Sequence, residues 1–259
     1  NSSYANGKNS HSGGEATAGG VNSFAHGIKG TLASGANSIA LVSGTASGDS
    51  SVAVKGTASG SNAIAFTGTA SGNSSISLDG TASGSNSVSI QGTAKSTDSI
   101  AIGQGSVAET GQGAMALIKG HATGQQSLAT NASSASGTNS VAMNASSASN
   151  TQSFAVNNST ASGVNSASLN KGNASGENSI STNISTATGV NSAAVNNSTA
   201  SGEGSVAMNY SKATGKGSVA IGLGTVAKGE YSLAQGHETR ANNHDSHAEG
   251  YGTNASGDQ

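Results

Sequence analysis

The chain has 259 residues, of which 33% are hydrophobic, 3% are aromatic and 8% are charged, with a formal net charge of −2. So few large apolar side chains exclude a conventional layered core. The weak charge excludes the basic surface of a protein that binds nucleic acid or an anionic membrane. The chain contains neither Cys nor Pro, which excludes disulfide bonds and leaves a ladder of strands uninterrupted.

A short motif, Ser-aliphatic-small-aliphatic, recurs along the whole chain at spacings of 12 to 15 residues. Its copies begin at Ser10, Ser23, Ser38, Ser51, Ala63, Ser75, Ser87, Ser99, Ala114, Ser127, Ser140, Ser153, Ser166, Ser179, Ser192, Ser205, Ser218, Ser232 and Ser246. Strict periodicity argues against the disorder that this composition would otherwise permit. A period this short is typical of β-solenoids. We therefore predict one repetitive all-β segment over residues 1–259, with about 19 coils.

The first predicted strand of each coil is the motif itself, as in Ile39-Ala40-Leu41. Its second and fourth residues are mostly aliphatic, and this alternation predicts a strand whose aliphatic face is buried. The third residue is Ala or Ser in every copy. We expect this small face to lie against other copies of the chain, the alternative being that Ala and Ser are simply abundant.

The second predicted strand is typically Thr-Ala-Ser and has its Ala, as in Ala46, five residues before the next motif. We expect that Ala to point inward. A Gly usually stands three residues before the motif, with Asn150, Asn243 and Thr97 interpreted as its replacements. Gly with occasional Asn favours a left-handed backbone, which predicts strain or a reshaped corner at Thr97.

The other corner of the coil carries most of the length variation, at residues 27–32, 103–107, 118–121, 209–212 and 236–240. Variable loops on a rigid scaffold are the usual place for binding. Large or charged side chains are scarce elsewhere, so they mark the candidate ligand-binding residues. These are Lys29, Leu32, Ile118, Lys119, Tyr210 and Lys212.

One coil of this composition has too few apolar side chains for their burial to offset the conformational entropy lost when the coil becomes ordered. Fixing about 13 residues costs roughly 20 kcal/mol of conformational entropy. Two aliphatic side chains and an Ala do not obviously offset that, so we predict an obligate oligomer. Periodicity alone gives neither the number of chains nor the handedness of the coil.

The segments Asn37-Ser38-Ile39-Ala40-Leu41, Ser99-Ile100-Ala101-Ile102-Gly103, Asn139-Ser140-Val141-Ala142-Met143 and Ser218-Val219-Ala220-Ile221-Gly222 resemble a known repeat. It is the Asn-Ser-Val-Ala-Ile-Gly repeat of YadA-type heads in trimeric autotransporter adhesins, and the likeness spans essentially the whole chain. The resemblance implies a left-handed parallel β-roll, a homotrimer and exposure on the bacterial surface through an outer-membrane anchor. It also implies host binding and virulence, through collagen, fibronectin or carcinoembryonic-antigen-related adhesion molecules.

The middle coils depart from that repeat by placing Asn where it has Gly, at Asn144, Asn157, Asn170, Asn183, Asn196 and Asn209. Stacked Asn side chains favour a hydrogen-bonded ladder along the coils. Sequons such as Asn131-Ala132-Ser133 and Asn197-Ser198-Thr199 arise readily from the composition, and glycosylation is the less favoured interpretation. We recognise no signal peptide, neck, heptad stalk or anchor, so we expect this chain to be a piece of a head.

No arrangement of residues suggests catalysis or a cofactor, and the one His-rich cluster fits no standard metal-ligand spacing. Within that cluster, His247 and Glu249 occupy the two aliphatic positions of the last motif, and Gln235 occupies one in the coil before. Buried polar groups need partners. We therefore expect a structural polar core there, hydrated or holding an ion on a symmetry axis.

Two functions remain open. The first is adhesion through the variable corners. The second is an ice-binding or purely structural trimeric β-rod, suggested by the threonines at Thr45, Thr57, Thr69 and Thr81. Ice binders of similar period have paired Thr on a flat face, whereas here the partner is Ser.

Overall fold

The structure, a computed structural model, describes residues 2–257 and divides into two compact units, one ending at Ala129 and the other beginning at Thr130. Within the described residues every regular element is a β-strand. Strands alternate along the chain between two parallel sheets, so each coil gives one strand to each. The fold is a parallel β-solenoid of about 19 turns, as predicted. A single domain over residues 1–259 stays a prediction.

The motif forms the strands of what we call the wide sheet, which are three to five residues long. They are β2 (His11–Gly14), β4 (Phe24–Gly27), β6 (Ile39–Val42), β8 (Val52–Val54), β10 (Ile64–Phe66), β12 (Ile76–Leu78), β14 (Val88–Ile90), β16 (Ile100–Ile102), β18 (Met115–Leu117), β20 (Leu128–Thr130), β22 (Val141–Met143), β24 (Phe154–Val156), β26 (Ala167–Leu169), β28 (Ile180–Thr182), β30 (Ala193–Val195), β32 (Val206–Met208), β34 (Val219–Ile221), β36 (Leu233–His237) and β38 (His247–Tyr251).

The Thr-Ala segments form the narrow sheet, whose strands are two residues long. They are β1 (Tyr4–Ala5), β3 (Thr17–Ala18), β5 (Leu32–Ala33), β7 (Thr45–Ala46), β9 (Thr57–Ala58), β11 (Thr69–Ala70), β13 (Thr81–Ala82), β15 (Thr93–Ala94), β17 (Val107–Ala108), β19 (His121–Ala122), β21 (Ser134–Ala135), β23 (Ser147–Ala148), β25 (Thr160–Ala161), β27 (Asn173–Ala174), β29 (Thr186–Ala187), β31 (Thr199–Ala200), β33 (Lys212–Ala213), β35 (Val226–Ala227), β37 (Arg240–Ala241) and β39 (Asn254–Ala255).

Within each unit the coils stack in register, so that equivalent residues of the repeat lie side by side. In the wide sheet Ile64 pairs with Val52 on one side and with Ile76 on the other. In the narrow sheet Thr57 pairs with Thr69. Each position of the repeat therefore becomes a continuous row of side chains at the spacing of neighbouring strands, about 4.8 Å.

The interior of the coil holds only small side chains. The third motif residue, such as Ala40, and the Ala of the narrow strand, such as Ala46, are both fully buried. Every fully buried side chain among the described residues is Ala, Ser or Thr. Inward-pointing Ala in the narrow sheet is thus confirmed. The space between the two sheets accommodates methyl and hydroxyl groups but no larger side chain.

The prediction that the aliphatic face of the wide sheet is buried was wrong. The small third residue points into the coil, whereas the aliphatic second and fourth residues point outward, with Ile39 39% and Leu78 45% exposed. The alternation was read correctly, but it does not say which face is inside. The thin interior decides this, because it has no room for Ile or Leu. The outer face of the wide sheet is consequently an exposed aliphatic surface in each unit.

The Gly that recurs three residues before the motif does not have the predicted left-handed backbone. Gly20, Gly35 and Gly48 do not have a left-handed φ. A Cβ on Gly20 would instead lie 2.0 Å from the carbonyl oxygen of Gly35 in the next coil. Gly is therefore favoured at this position, because the close approach of successive backbones leaves no space for a Cβ unless the backbone shifts.

Assigning Thr97 to this Gly position was wrong, because Ser96 occupies it. A Cβ on Gly84 would lie 2.0 Å from the carbonyl oxygen of Ser96, three residues before Ser99. The Ser96 hydroxyl donates to the Gly111 carbonyl of the next coil at 2.7 Å. Thr97 itself does not have a positive φ.

The left-handed residue of this corner lies immediately before the motif. It has a φ of 53° to 70° in all nineteen coils. An example is Asn37, with a φ of 56°, in the turn closed by the Ser38 N–H donating to the Gly35 carbonyl at 3.4 Å. A positive φ at the third position of a turn favours Gly or Asn, which accounts for the frequent Asn before the motif Ser.

Candidate binding surface

In the second unit, the corners that follow the seven wide strands from β20 to β32 have a distinctive backbone. Two consecutive residues have a positive φ, the sign pattern of a type I′ turn. The first residue is always Asn, which tolerates this conformation well. The pairs are Asn131 and Ala132, Asn144 and Ala145, Asn157 and Asn158, Asn170 and Lys171, Asn183 and Ile184, Asn196 and Asn197, and Asn209 and Tyr210.

The Asn side chains of this corner form a continuous ladder, which confirms the prediction. From Asn131 to Asn209, each Nδ2 donates to the Oδ1 of the Asn one coil further on. The six donor–acceptor distances are 2.7, 2.9, 2.9, 3.1, 2.8 and 3.0 Å. We call this row the Asn ladder. It fixes seven amide groups in one orientation on the exposed surface.

Six of the seven ladder Asn residues, all but Asn170, are followed two residues later by a Ser with a structural role. Ser133, Ser146 and Ser185 are all buried. The Ser133 hydroxyl accepts from the Ser146 N–H at 3.1 Å, and the Ser185 hydroxyl accepts from the Ser198 N–H at 3.1 Å. The Asn-x-Ser pattern therefore follows from the turn and its interior hydrogen bonds.

A shallow furrow runs along the Asn ladder. One stretch has a volume of about 430 Å³ and is lined by Asn144, Asn157, Asn158, Asn170, Lys171, Asn183 and Ile184. A second stretch of about 320 Å³ is lined by Asn183, Ile184, Asn196, Asn197, Asn209 and Tyr210. We call the two together the ladder furrow. Its wall carries exposed apolar groups, because Ile184 is 62% and Tyr210 58% exposed.

Two carboxylates of the first unit lie in hydrogen-bonded clusters on the surface. Lys95 Nζ donates to Glu109 at 2.8 Å, and His121 lies 3.5 Å from the other oxygen of Glu109. The hydrogen bond from Lys95 chiefly, together with His121, lowers the pKa of Glu109 below its usual value. Hydrogen bonds from Gln112 and Asn86 similarly lower the pKa of Asp98.

A family model described as YadA head domain repeat (2 copies) matches residues 94–117, 209–225 and 213–239. These ranges include Gly103 and Gly222, where the motif ends in Gly as in that repeat. The chain carries YadA head domain repeats. No curated protein matches this YadA-like head.

The six candidate ligand-binding residues of the YadA-like head are distributed over different surfaces. Lys29, Ile118, Lys119 and Tyr210 lie at corners, and Ile118 and Lys119 form a turn with two positive φ values. Leu32 and Lys212 instead lie in strands of the narrow sheet. Of the six, Tyr210 alone is among the residues lining the ladder furrow. Ligand binding by any of them stays a prediction.

Lys171 and Ile184 were missed from the sequence, although both line the furrow. They occupy the same position as Tyr210, one residue after a ladder Asn. All three stand five residues after a motif Ser, so the alignment on that Ser already groups them. Their signal was present in the 13-residue period.

Gln235, His247 and Glu249 lie on the exposed side of the YadA-like head's wide sheet. Gln235 pairs in register with Glu249, and His247 Nε2 lies 3.8 Å from a Glu249 carboxylate oxygen. The three are therefore outside the interior of the coil. A polar core made from them would have to lie between chains, and it stays a prediction.

Within residues 2–257, no group of three or more His, Cys, Asp or Glu side chains is arranged to hold a metal ion. The same residues contain no helix long and apolar enough to cross a membrane.

Proposed function

We propose that this chain is a head segment of a trimeric bacterial surface adhesin that attaches to host cells. The YadA head repeat points to an adhesin-type function. The observation that carries the proposal is the exposed aliphatic face of the wide sheet, together with that repeat. A face bearing Ile39, Ile76 and Leu78 calls for a covering partner, and a second and third copy present the same face.

Three chains joined in this way leave other surfaces free to contact a host molecule. The proposed partner is a host receptor, such as a carcinoembryonic-antigen-related adhesion molecule, or a matrix protein such as collagen or fibronectin. We propose a location on the bacterial surface as an autotransporter passenger. We also propose that the head is non-enzymatic, as YadA-like heads and β-solenoids typically are.

The test is attachment. Fluorescent beads coated with the head should bind epithelial cells or immobilised matrix proteins saturably, and soluble head should compete. A head carrying Ile118→Ser and Lys119→Ser should be compared with one carrying Thr69→Ser, a change on the narrow sheet. Failure of the wild-type head to bind any of these targets above uncoated beads would contradict adhesion.

Ice binding is a second candidate, favoured by one observation. Thr45, Thr57, Thr69, Thr81 and Thr93 stack in register along the narrow sheet, which makes a row of methyl and hydroxyl groups. The parallel row two residues on holds Ser rather than Thr at four of these coils and Lys95 at the fifth. Measurable thermal hysteresis at a micromolar protein concentration would support ice binding, and its absence would rule ice binding out.

A further inference from the structure

The Asn ladder leaves a regular set of hydrogen-bonding groups unused. An Asn amide has two N–H donors and two acceptor lone pairs. Each interior ladder Asn, such as Asn170, donates one N–H and accepts one bond within the ladder. One donor and one acceptor per coil therefore remain for another molecule, repeating at about 4.8 Å along the stack.

The charge of the ladder furrow limits what can fill it. Its lining contains amides, Ile184, Tyr210 and one charged group, Lys171, and it contains no carboxylate. The acidic residues Glu177 and Glu203 lie at the opposite corner, just before the motif. The furrow therefore favours a neutral or weakly anionic ligand over a cationic one.

We propose that the ladder furrow binds an extended glycan chain whose sugars run parallel to the Asn ladder. Sugar hydroxyl and acetamido groups both donate and accept, so they complement a row of side-chain amides. A polymer is favoured over a small molecule because the binding groups repeat from Asn144 to Asn209 in a shallow, open furrow. Ile184 and Tyr210 supply apolar surface for the faces of the sugar rings.

This inference rests on the adhesion proposed above and names a ligand class for it. A glycan held along several coils would gain affinity with length, because each added sugar meets another ladder amide. Oligosaccharides are thus expected to bind more tightly than their disaccharides.

The direct test is titration of the whole 259-residue chain with chitohexaose, cellohexaose and a hyaluronan octasaccharide, monitored by calorimetry and NMR. We expect at least one to bind, with an affinity at least 10-fold higher than that of its disaccharide. The double variant Asn157→Gly and Asn170→Gly keeps a backbone suited to positive φ but removes the ladder amides. It should lose at least 10-fold in affinity.

The matched control lies on the opposite corner of the same coils. Asn165 and Asn178 also have positive φ and form a similar ladder, with Asn165 donating to Asn178 at 3.1 Å. The variant Asn165→Gly and Asn178→Gly should bind like the wild type. If the ladder variant does not fold, Tyr210→Ala, which alters only an exposed corner side chain, should still lower affinity.

Absence of binding by all three oligosaccharides, or equal losses in the ladder and control variants, would overturn the inference. The bead assay separates it from the adhesion proposal. Attachment to cells that is unaffected by the ladder variant would leave adhesion standing and reject the glycan. Glycan binding without any attachment to cells or matrix would reject adhesion alone.

Discussion

Among single residues, the Gly that stands three residues before most motifs is explained by the close approach of successive coils. Gly20 lies where two successive backbones approach, and a Cβ there would be 2.0 Å from the Gly35 carbonyl oxygen. The neighbouring Gly19 has no atom within 4 Å of the equivalent point. Two adjacent glycines in one corner therefore differ completely in their tolerance of a methyl group.

Replacing Gly20 by Ala should lower the free energy of unfolding by about 1–3 kcal/mol, because backbone atoms must shift to admit the methyl group. Gly19→Ala should leave it unchanged or raise it slightly through the lower entropy of the unfolded chain. Denaturant unfolding of both variants measures the difference. Equal stabilities would contradict the close approach of the coils.

The carboxylate of Glu109 makes part of the stability depend on pH. Its pKa is lowered in the folded chain by Lys95 and then by His121, so the folded state binds a proton less readily than the unfolded state. The stabilisation is present above the ordinary carboxyl pKa, about 4.3, and is lost as the pH falls through the lower folded value. Stability should therefore decline on acidification below about pH 4.

The effect is expected to be small, because Glu109 is partly exposed to solvent, which screens its interactions. Glu109→Gln should flatten the acid limb of a plot of melting temperature against pH. Glu177→Gln, at a residue with no Lys or His in ion-pair distance among the described residues, is the control. An unchanged acid limb in Glu109→Gln would show that this cluster contributes nothing.

At the scale of the element, each wide strand places a small side chain inside and larger ones outside. Ala207 in β32 is fully buried and lies between Ala194 and Ala220 of the neighbouring coils. Val206, the preceding residue, points to the outer face and is partly exposed. The two positions therefore place opposite demands on side-chain volume.

Ala207→Leu should destabilise the fold by about 3 kcal/mol or more, since the thin interior cannot accommodate the added carbons. Val206→Leu, on the same strand, should change the free energy of unfolding by less than about 1 kcal/mol. Urea unfolding monitored by circular dichroism compares them. A tolerated Leu at position 207 would mean that the interior is wider than described.

The sequence predicted the elements of the coil better than their orientation. The period, the two strands per coil, the inward Ala and the Asn ladder were all readable, because each recurs at a fixed offset. The alternation in Ile39-Ala40-Leu41 is compatible with either face inside. Ala40 points into the coil because the two sheets lie too close together for Ile or Leu, and the sequence does not state that distance.

The candidate site was less predictable than the fold. Tyr210 was found because large side chains are scarce, but its neighbours in the furrow become recognisable only when the coils are stacked. Gly20 was misread because a Gly can satisfy either a torsion or a close approach, and composition does not separate the two. Such contacts between coils depend on three-dimensional register.

For the molecule as a whole, we propose that the outer face of the wide sheet joins copies of the chain. The small interior leaves Ile76 and Leu78 43% and 45% exposed in one chain. Large exposed apolar surfaces of this kind are covered in stable proteins. We therefore expect association to complete the apolar burial that a single chain begins.

Sedimentation equilibrium of the purified chain measures this association. We predict a mass three times the 24.5 kDa of one chain, independent of concentration down to the nanomolar range. Ile76→Asp should abolish that species, whereas Thr69→Asp on the narrow sheet should retain it. A folded wild-type species at 24.5 kDa would show that this face does not join copies of the chain.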